Sequence, residues 1–353
     1  MIISRTPYRV SFFGGGTDYP AWYKENGGQV LSTTIDKFLY ISCRYLPPFF
    51  EHRLRLVYSR IESCQRAQEL THPTARETLR FLNIDSDLEI HYDGDLPSRS
   101  GVGSSSAFTV GLLHALYTHI GETSTPKKLA SESIHIEQNI VGEQVGSQDQ
   151  VSAAHGGLNR IQFLPDGRIM VDPIPAERSR IDALETQLML FYTGIKRTAA
   201  NVANTYVSNV VRRQNQLRKM HTMVDDAFNI LTGSSDLNDF GRLLHEGWME
   251  KRSLSSQVSN PYVDDIYSNA RSAGALGGKL TGAGGGGMLL LYVPLDKQEK
   301  IKSRLSKLIH VPIRFHPSGS QIIFQDEDQR YRDGEKFRTS QPVSFVELRE
   351  IDF

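Results

Sequence analysis

The stretch Leu96 to Phe108, LPSRSGVGSSSAF, constrains the fold more than any other part of this 353-residue chain. It follows the alternating segment Leu88-Glu89-Ile90-His91-Tyr92, which reads as a strand. It precedes Thr109 to His119, whose apolar residues recur at helical spacing. Strand, glycine-serine loop, helix is the order of a phosphate cradle. Gly101 and Gly103 let the backbone take positive φ and approach an anion, and the helix N-terminus offers unpaired N–H groups. Ser104, Ser105 and Ser106 add hydroxyls able to cap the helix or reach a phosphate-bound Mg²⁺. A flexible loop ending in an ordinary serine cap is the other reading of the same residues.

Two further glycine loops stand on either side of it. Met1 to Phe13 reads as a strand carrying Arg5 and Arg9 that breaks at Gly14-Gly15-Gly16-Thr17-Asp18. Such a loop suits a substrate lying against the backbone, with Asp18 accepting from hydroxyls or acting as a turn or helix cap. Near the other end, Lys279 to Gly287 leads into a strand, Met288 to Val293. Gly282 to Gly287 satisfies GxGxxG, but a dinucleotide site needs a preceding strand and a following helix, and here a helix, Pro261 to Ala273, precedes and a strand follows. GGKLT around Lys279 lacks P-loop spacing, and no protein-kinase HRD or DFG set occurs.

Between these loops the pattern predicts one or two strands over Val30 to Tyr45 and a helix over Thr74 to Leu82. A mostly buried helix over Lys127 to Val141 follows the start signal Ser124-Thr125-Pro126. Glu137 on that helix faces either solvent or a metal site, and Asp149 after the Gly142 to Gly146 break reads, on position alone, as a helix N-cap. Gly156 to Phe163 and Ile169 to Val171 read as paired strands. Pro173, Pro175 and the charged run Glu177 to Arg180 read as a domain boundary. Beyond it come a strand at Gln187 to Tyr192 and a polar loop over Thr193 to Thr198. Helices follow over Asn201 to Leu231 and Leu237 to Leu254, then a helix Lys297 to Leu308 and strands near Val311 to Phe315 and Gln321 to Phe324 that complete a small second α/β unit.

A formal charge of zero gives no global reason to expect nucleic acid or an anionic membrane as partner. Cys43 and Cys64 could pair but make no disulfide framework and lie in no metal-ligand cluster. Ser4, Arg5 and Arg9 interrupt the N-terminal apolar residues, and no apolar run reaches membrane-spanning length, so the expectation is a soluble cytoplasmic protein.

Taken in order, RTPYRVSFFGGGTDYP, LPSRSGVGSSSAF and KLTGAGGGGMLLLY resemble the three motifs of the GHMP superfamily of small-molecule kinases. The triple glycine of GGGTD and the segment HEGWMEKRSLSSQVSNPYVDDIYSNARSAGALGGKLTGAGGGG look like the D-glycero-D-manno-heptose 7-phosphate kinase group. The resemblance implies an α+β, two-domain fold with mixed and antiparallel sheets and the active site between the domains. The expected limits are 1–180, 181–325 and a polar extension over 326–353. It implies ATP as phosphoryl donor, Mg²⁺ as cofactor, and a sugar phosphate accepting phosphate on its C1 hydroxyl. Another sugar, fucose-like or another heptose, is the near alternative, and a non-catalytic nucleotide and sugar sensor the distant one.

The resemblance also carries roles onto residues. Asp149 matches the general base and Arg9 the basic residue beside it. Pro97, Gly101, Val102, Gly103, Ser104, Ser105 and Ser106 match the nucleotide loop. Ser105 and Glu137 match the Mg²⁺ ligands, with Glu143 as second choice for the carboxylate. Gly15, Gly16, Thr17 and Asp18 match the sugar loop, joined by Gly284 and Gly285. Lys196, Arg197, Lys251 and Arg252 are the candidates for a second anion site on charge and resemblance, surface pairing being the alternative for each. The sequence leaves a homodimer open.

Overall fold

The computed structural model describes residues 1–47, 50–195 and 213–326. Two strands frame the first half. β1 (Ile2–Phe13) pairs along its length with β2 (Gly28–Tyr45), one 18-residue strand where the sequence pattern allowed one or two. β2 then serves two partners. Its first half pairs with β6 (Leu158–Phe163), which pairs with β7 (Ile169–Pro173), and its second half pairs with β5 (Leu88–Gly94). β5 takes β3 (Leu54–Val57) in parallel, and β4 (Ile61–Cys64) closes that edge. One parallel pair among antiparallel ones makes the sheet mixed.

The last described strand, β12 (Gln321–Gln325), pairs with β1. The expectation that it completes the second α/β unit is therefore corrected: the chain returns to the first sheet. Backbone ladder bonds decide this, and a short exposed strand carries no sequence mark of which sheet it will join.

Helix α1 (Pro20–Asn26) follows the first glycine loop, and α2 (Pro73–Phe81) precedes β5. α3 (Ser104–His119) is apolar nearly all round and lies buried across β1 and β2. Its approach is close: a Cβ at Gly111 would stand 2.7 Å from Thr6 Oγ1, and Ser4 Oγ donates to the Gly111 carbonyl at 2.8 Å. α4 (Pro126–His135) starts as its sequence predicts, with Pro126 in the first turn and the Thr125 hydroxyl accepting from Lys128 N–H at 3.1 Å. Its final turn widens into a π-type turn, Ile136–Ile140, and α5 (Gln148–His155) follows.

In the second half, β8 (Leu188–Tyr192) and β10 (Met288–Tyr292) pair antiparallel, flanked by β11 (Ile309–Val311) and β9 (Gly277–Leu280). The runs LMLFY and MLLLY are apolar throughout because both faces are covered. Met288, Leu290 and Tyr292 join the core of the first half, and Leu289 and Leu291 join a second cluster with Trp248, Val263 and Ile266. The covering helices are α7 (Gln214–Thr232), α8 (Asn238–Leu254), α9 (Pro261–Ala273) and the shorter α10 (Gln298–Arg304). Phe12 and Phe13 of β1 both meet Phe240 of α8 edge-on, at 5.3 and 5.1 Å, so the apolar core runs unbroken between the halves.

The segment read as a boundary, Glu177 to Arg180, starts a helix, α6 (Arg178–Thr186); only Leu184 on it is fully buried, so it lacks the apolar period that announces a helix. β9 precedes the third glycine loop, so that loop joins two strands, and the dinucleotide reading fails only for want of the following helix. Its glycines hide it: a Cβ at Gly277 would stand 1.9 Å from the Gly241 carbonyl of α8. Cys43 and Cys64 form no disulfide. Among the described residues no helix is long and apolar enough to cross a membrane.

Candidate functional site

β1 delivers Arg9 through a fault in its ladder. Pro7 stands opposite Phe38, the pairing slips, and Arg9 then faces Thr34. β12 covers the other edge of β1 only as far as Arg5, so the Arg9 N–H is free to donate to the Val102 carbonyl at 3.1 Å. The side chain, 4 % exposed, donates from Nε and Nη2 to the two Asp149 oxygens, both at 2.6 Å, and from Nη1 to the Gly101 carbonyl at 2.7 Å. Two of the five guanidinium N–H donors remain. Asp149 lies inside the first turn of α5, where Ser147 holds the cap position, so the N-cap reading is corrected. Its side chain keeps 24 % exposure.

The nucleotide-loop candidates surround this pair. Gly101 (φ 82°) and Gly103 (φ 77°) take left-handed conformations, and Gly103 is the cap residue of α3 with no side-chain cap. A Cβ at Gly103 would stand 3.2 Å from Arg9 Cγ and 3.3 Å from Asp149 Oδ2, so the loop lies directly on the ion pair. Ser104 is half-buried, Ser105 exposed, and Pro97 lies exposed before the loop. The Val102 side chain is core, and its carbonyl accepts the Arg9 N–H.

Glu137 sits on the π-type turn, 1 % exposed. Its carboxylate accepts from Ser106 Oγ at 2.9 Å, Thr109 Oγ1 at 2.6 Å and Gln150 Nε2 at 2.6 Å. Ser106, not Ser105, is therefore the serine brought to Glu137. Glu143 lies near, its own N–H on the Glu137 carbonyl at 2.8 Å, and burial raises its pKa. Among the described residues no group of three or more His, Cys, Asp or Glu could hold a metal by itself. One carboxylate with neighbouring hydroxyls is the sparse oxygen set that suits a Mg²⁺ shared with phosphates and water.

Burial, against three neutral donors, raises the Glu137 pKa from 4.5 to about 7. Between these values the folded chain holds a proton that the unfolded chain has lost. The stability is full below pH 4.5 and falls as pH rises to 7, by about 3 kcal/mol at about 1.4 kcal/mol per unit. Glu137→Gln cannot ionise and is expected to remove that slope. Thermal unfolding of the two proteins from pH 4.5 to 8 checks this; parallel curves would refute it.

The first glycine loop is tied to itself, to β2 and to the head of α5. Thr17 is buried and braces the loop, its Oγ1 donating to the Gly14 carbonyl at 2.8 Å and to the Gln29 carbonyl at 2.9 Å. Asp18 accepts from Gly16 N–H at 2.9 Å and from Gln148 N–H and Nε2 at 3.3 and 3.0 Å, and burial raises its pKa. The space over Gly15 is bounded by polar groups: a Cβ there would lie 3.6 Å from Gln148 Nε2 and 3.8 Å from Ser11 Oγ. Gln148 Oε1 and Ser11 Oγ are buried with no hydrogen-bond partner among the described residues. A Cβ at Gly16 (φ 109°) would lie 3.2 Å from Leu217.

From the second half, the third glycine loop backs onto the second. A Cβ at Gly282 would stand 2.9 Å from Gly101 Cα, and Met288 N–H donates to the Ser100 carbonyl at 2.9 Å. Gly284 and Gly285 rest on Val258, whose carbonyl accepts Gly285 N–H at 2.8 Å. Lys251 and Arg252 part company: Lys251 is buried with Nζ on the Gly282 carbonyl, and Arg252 pairs with Asp264 at 2.7 Å. Lys196 and Arg197 lie outside the described residues. Sequence reasoning missed Thr109, Gln150, Gln148 and Lys279 as site neighbours. Only Thr109 had a signal, its helical spacing from Ser106.

Residues 67–157 match the family model "GHMP kinases N terminal domain", and residues 212–310 match "GHMP kinases C terminal". The chain is similar to D-glycero-alpha-D-manno-heptose 7-phosphate kinase of Campylobacter jejuni, 28% identical over 316 residues, covering 86% of this chain and 92% of that protein. It is also similar to the bifunctional fucokinase/GDP-fucose pyrophosphorylase of Arabidopsis thaliana, 25% identical over 331 residues, 85% of this chain and 31% of that longer protein. In fold it resembles the crystal structure of a D-glycero-D-manno-heptose 1-phosphate kinase from Bacteriodes thetaiotaomicron. The TM-score is 0.70 at 22% identity, over 93% of this chain and all of that one.

Proposed function

The chain belongs to the GHMP kinases, and from that premise we propose that it transfers the γ-phosphate of ATP to the C1 hydroxyl of D-glycero-D-manno-heptose 7-phosphate. The observation that carries the reading is the Arg9–Asp149 pair lying against Gly103 at the head of α3. Phosphoryl transfer needs a positioned hydroxyl, a group to take its proton, and donors for charge on the equatorial oxygens. Asp149, the more exposed member of the pair, takes the proton. The two remaining Arg9 N–H groups and the α3 amides meet the phosphate oxygens.

The loop from Gly101 to Ser106 holds the β- and γ-phosphates. Glu137 with the Ser105 and Ser106 hydroxyls would hold Mg²⁺, which supplies charge neutralisation on those phosphates. The acceptor lies over Gly15 and Gly16, where Ser11 Oγ and Gln148 Oε1 each need a partner that a sugar hydroxyl provides. A heptose phosphate is favoured over fucose by the heptose kinase relative, which aligns over nearly its whole length. ATP consumption across a panel of sugars and sugar 7-phosphates, with product position read by phosphorus NMR, tests the reading. Strongest turnover on the heptose 7-phosphate with phosphate on C1 is expected. Phosphate on another carbon would overturn the acceptor assignment, and no turnover on any sugar would overturn the sugar kinase reading.

A further inference from the structure

We propose that Lys251 is a phosphate-binding residue of this site, its ammonium held on the Gly282 carbonyl to carry the charge of a phosphate group bound beside the contact of the second and third glycine loops. The inference rests on the kinase reading and deepens it. Lys251 stands in the last turn of α8, 5 % exposed. Its sequence neighbours point outward into ion pairs, Glu250 with Lys219 and Arg252 with Asp264. Lys251 turns inward and forms no salt bridge among the described residues; its hydrogen bond is to Gly282, the residue that packs on Gly101. A lysine so buried is rare unless its charge is met.

The groups facing it come from four elements. They are Arg9 on β1, Asp18 in the first glycine loop, Asp149 on α5 and, through its neighbour on β9, Lys279. Both carboxylates already have partners, Asp149 in Arg9 and Asp18 in backbone and amide N–H groups. Lys279 donates to the Phe12 carbonyl at 2.8 Å, which ties β9 to β1, and burial beside Lys251 and Arg9 pushes its pKa well below the ordinary lysine value. Burial and Arg9 bring Lys251 down to about 8. The site thus holds an amine that loses its proton within the working range and regains it when an anion arrives.

Phosphate reaches this place from two sources, the nucleotide and the acceptor's own phosphate. Titration calorimetry at pH 8.5, in two buffers of different ionisation enthalpy, separates them, because phosphate monoesters are fully ionised there. The probes are Mg²⁺ with a non-hydrolysable ATP analogue, and heptose 7-phosphate. Wild type is expected to take up protons with one of the two probes, and Lys251→Met to abolish that uptake. KM for the matching substrate, ATP or heptose 7-phosphate, is expected to rise about 10- to 100-fold, with Lys251→Arg recovering most of it. For an acceptor-phosphate site, an unphosphorylated sugar would be little affected. Proton uptake unchanged in Lys251→Met, or KM within twofold for both ligands, overturns the proposal. Should Lys251→Met fail to fold, Lys251→Gln serves, and failure of Lys251→Arg to restore KM while restoring thermal stability marks a merely structural tie and overturns it too. Nucleotide-linked uptake would be read even if no sugar were turned over, so this test and that of the kinase reading fail separately.

Discussion

Asp149→Asn is expected to lower kcat by about 10²–10⁴-fold with KM for both substrates within a few-fold of wild type, because the amide keeps the shape of the carboxylate and cannot take the acceptor proton. The asparagine also meets Arg9 with one oxygen where the carboxylate offered two. Asp149→Ala goes further. It strips the partner from a guanidinium that is 4 % exposed, a loss of about 3–5 kcal/mol for a broken buried pair. Activity and stability can be pulled apart with the double variant Arg9→Met, Asp149→Leu, which removes both charges. It is expected to regain most of the stability and none of the turnover. Steady-state kinetics with thermal unfolding checks the set; near-wild-type kcat in a folded Asp149→Asn protein would end the base assignment.

Gly101→Ala is expected to damage both nucleotide binding and stability. The residue holds φ at 82°, which an alanine enters at a cost of about 1–3 kcal/mol. Its Cβ would also stand 2.6 Å from the Thr281 carbonyl, backbone that cannot rotate away. The loop must therefore lift off the third glycine loop, taking with it the Gly101 carbonyl that holds Arg9 Nη1. KM for ATP should rise at least tenfold, while Gly121→Ala, also at positive φ but with open space around it, should cost stability alone. Equal KM for ATP in the two variants would refute the claim that these loops brace each other.

Much of this site is legible in the chain, and the reasons differ by residue. The glycines of the three loops are visible because no other residue serves a positive φ or a backbone contact as well. The helices after Thr125 and Asn260 are visible because their caps and prolines are local signals, and both caps are made, Asn260 accepting from Val263 N–H at 3.1 Å. What is not legible is aim. Nothing local says that Ser106 and not Ser105 turns to Glu137, since one residue of helical rotation decides it. Nor does the sequence separate Lys251 from Arg252, adjacent and alike in charge, although one is buried at the site and the other pairs on α9. Gln150 and Lys279 act through partners 13 and 267 residues away, distances over which no periodicity speaks.

The unbroken apolar core between the halves has a consequence for how this molecule comes apart. Phe240 is shared with Phe12 and Phe13, and alternate residues of β10 belong to the core of the first sheet. Melting either half alone would bare the aromatic faces of the other to water. The two architectural units are therefore expected to unfold as a single cooperative one, and the site where their loops meet to last as long as the whole fold does.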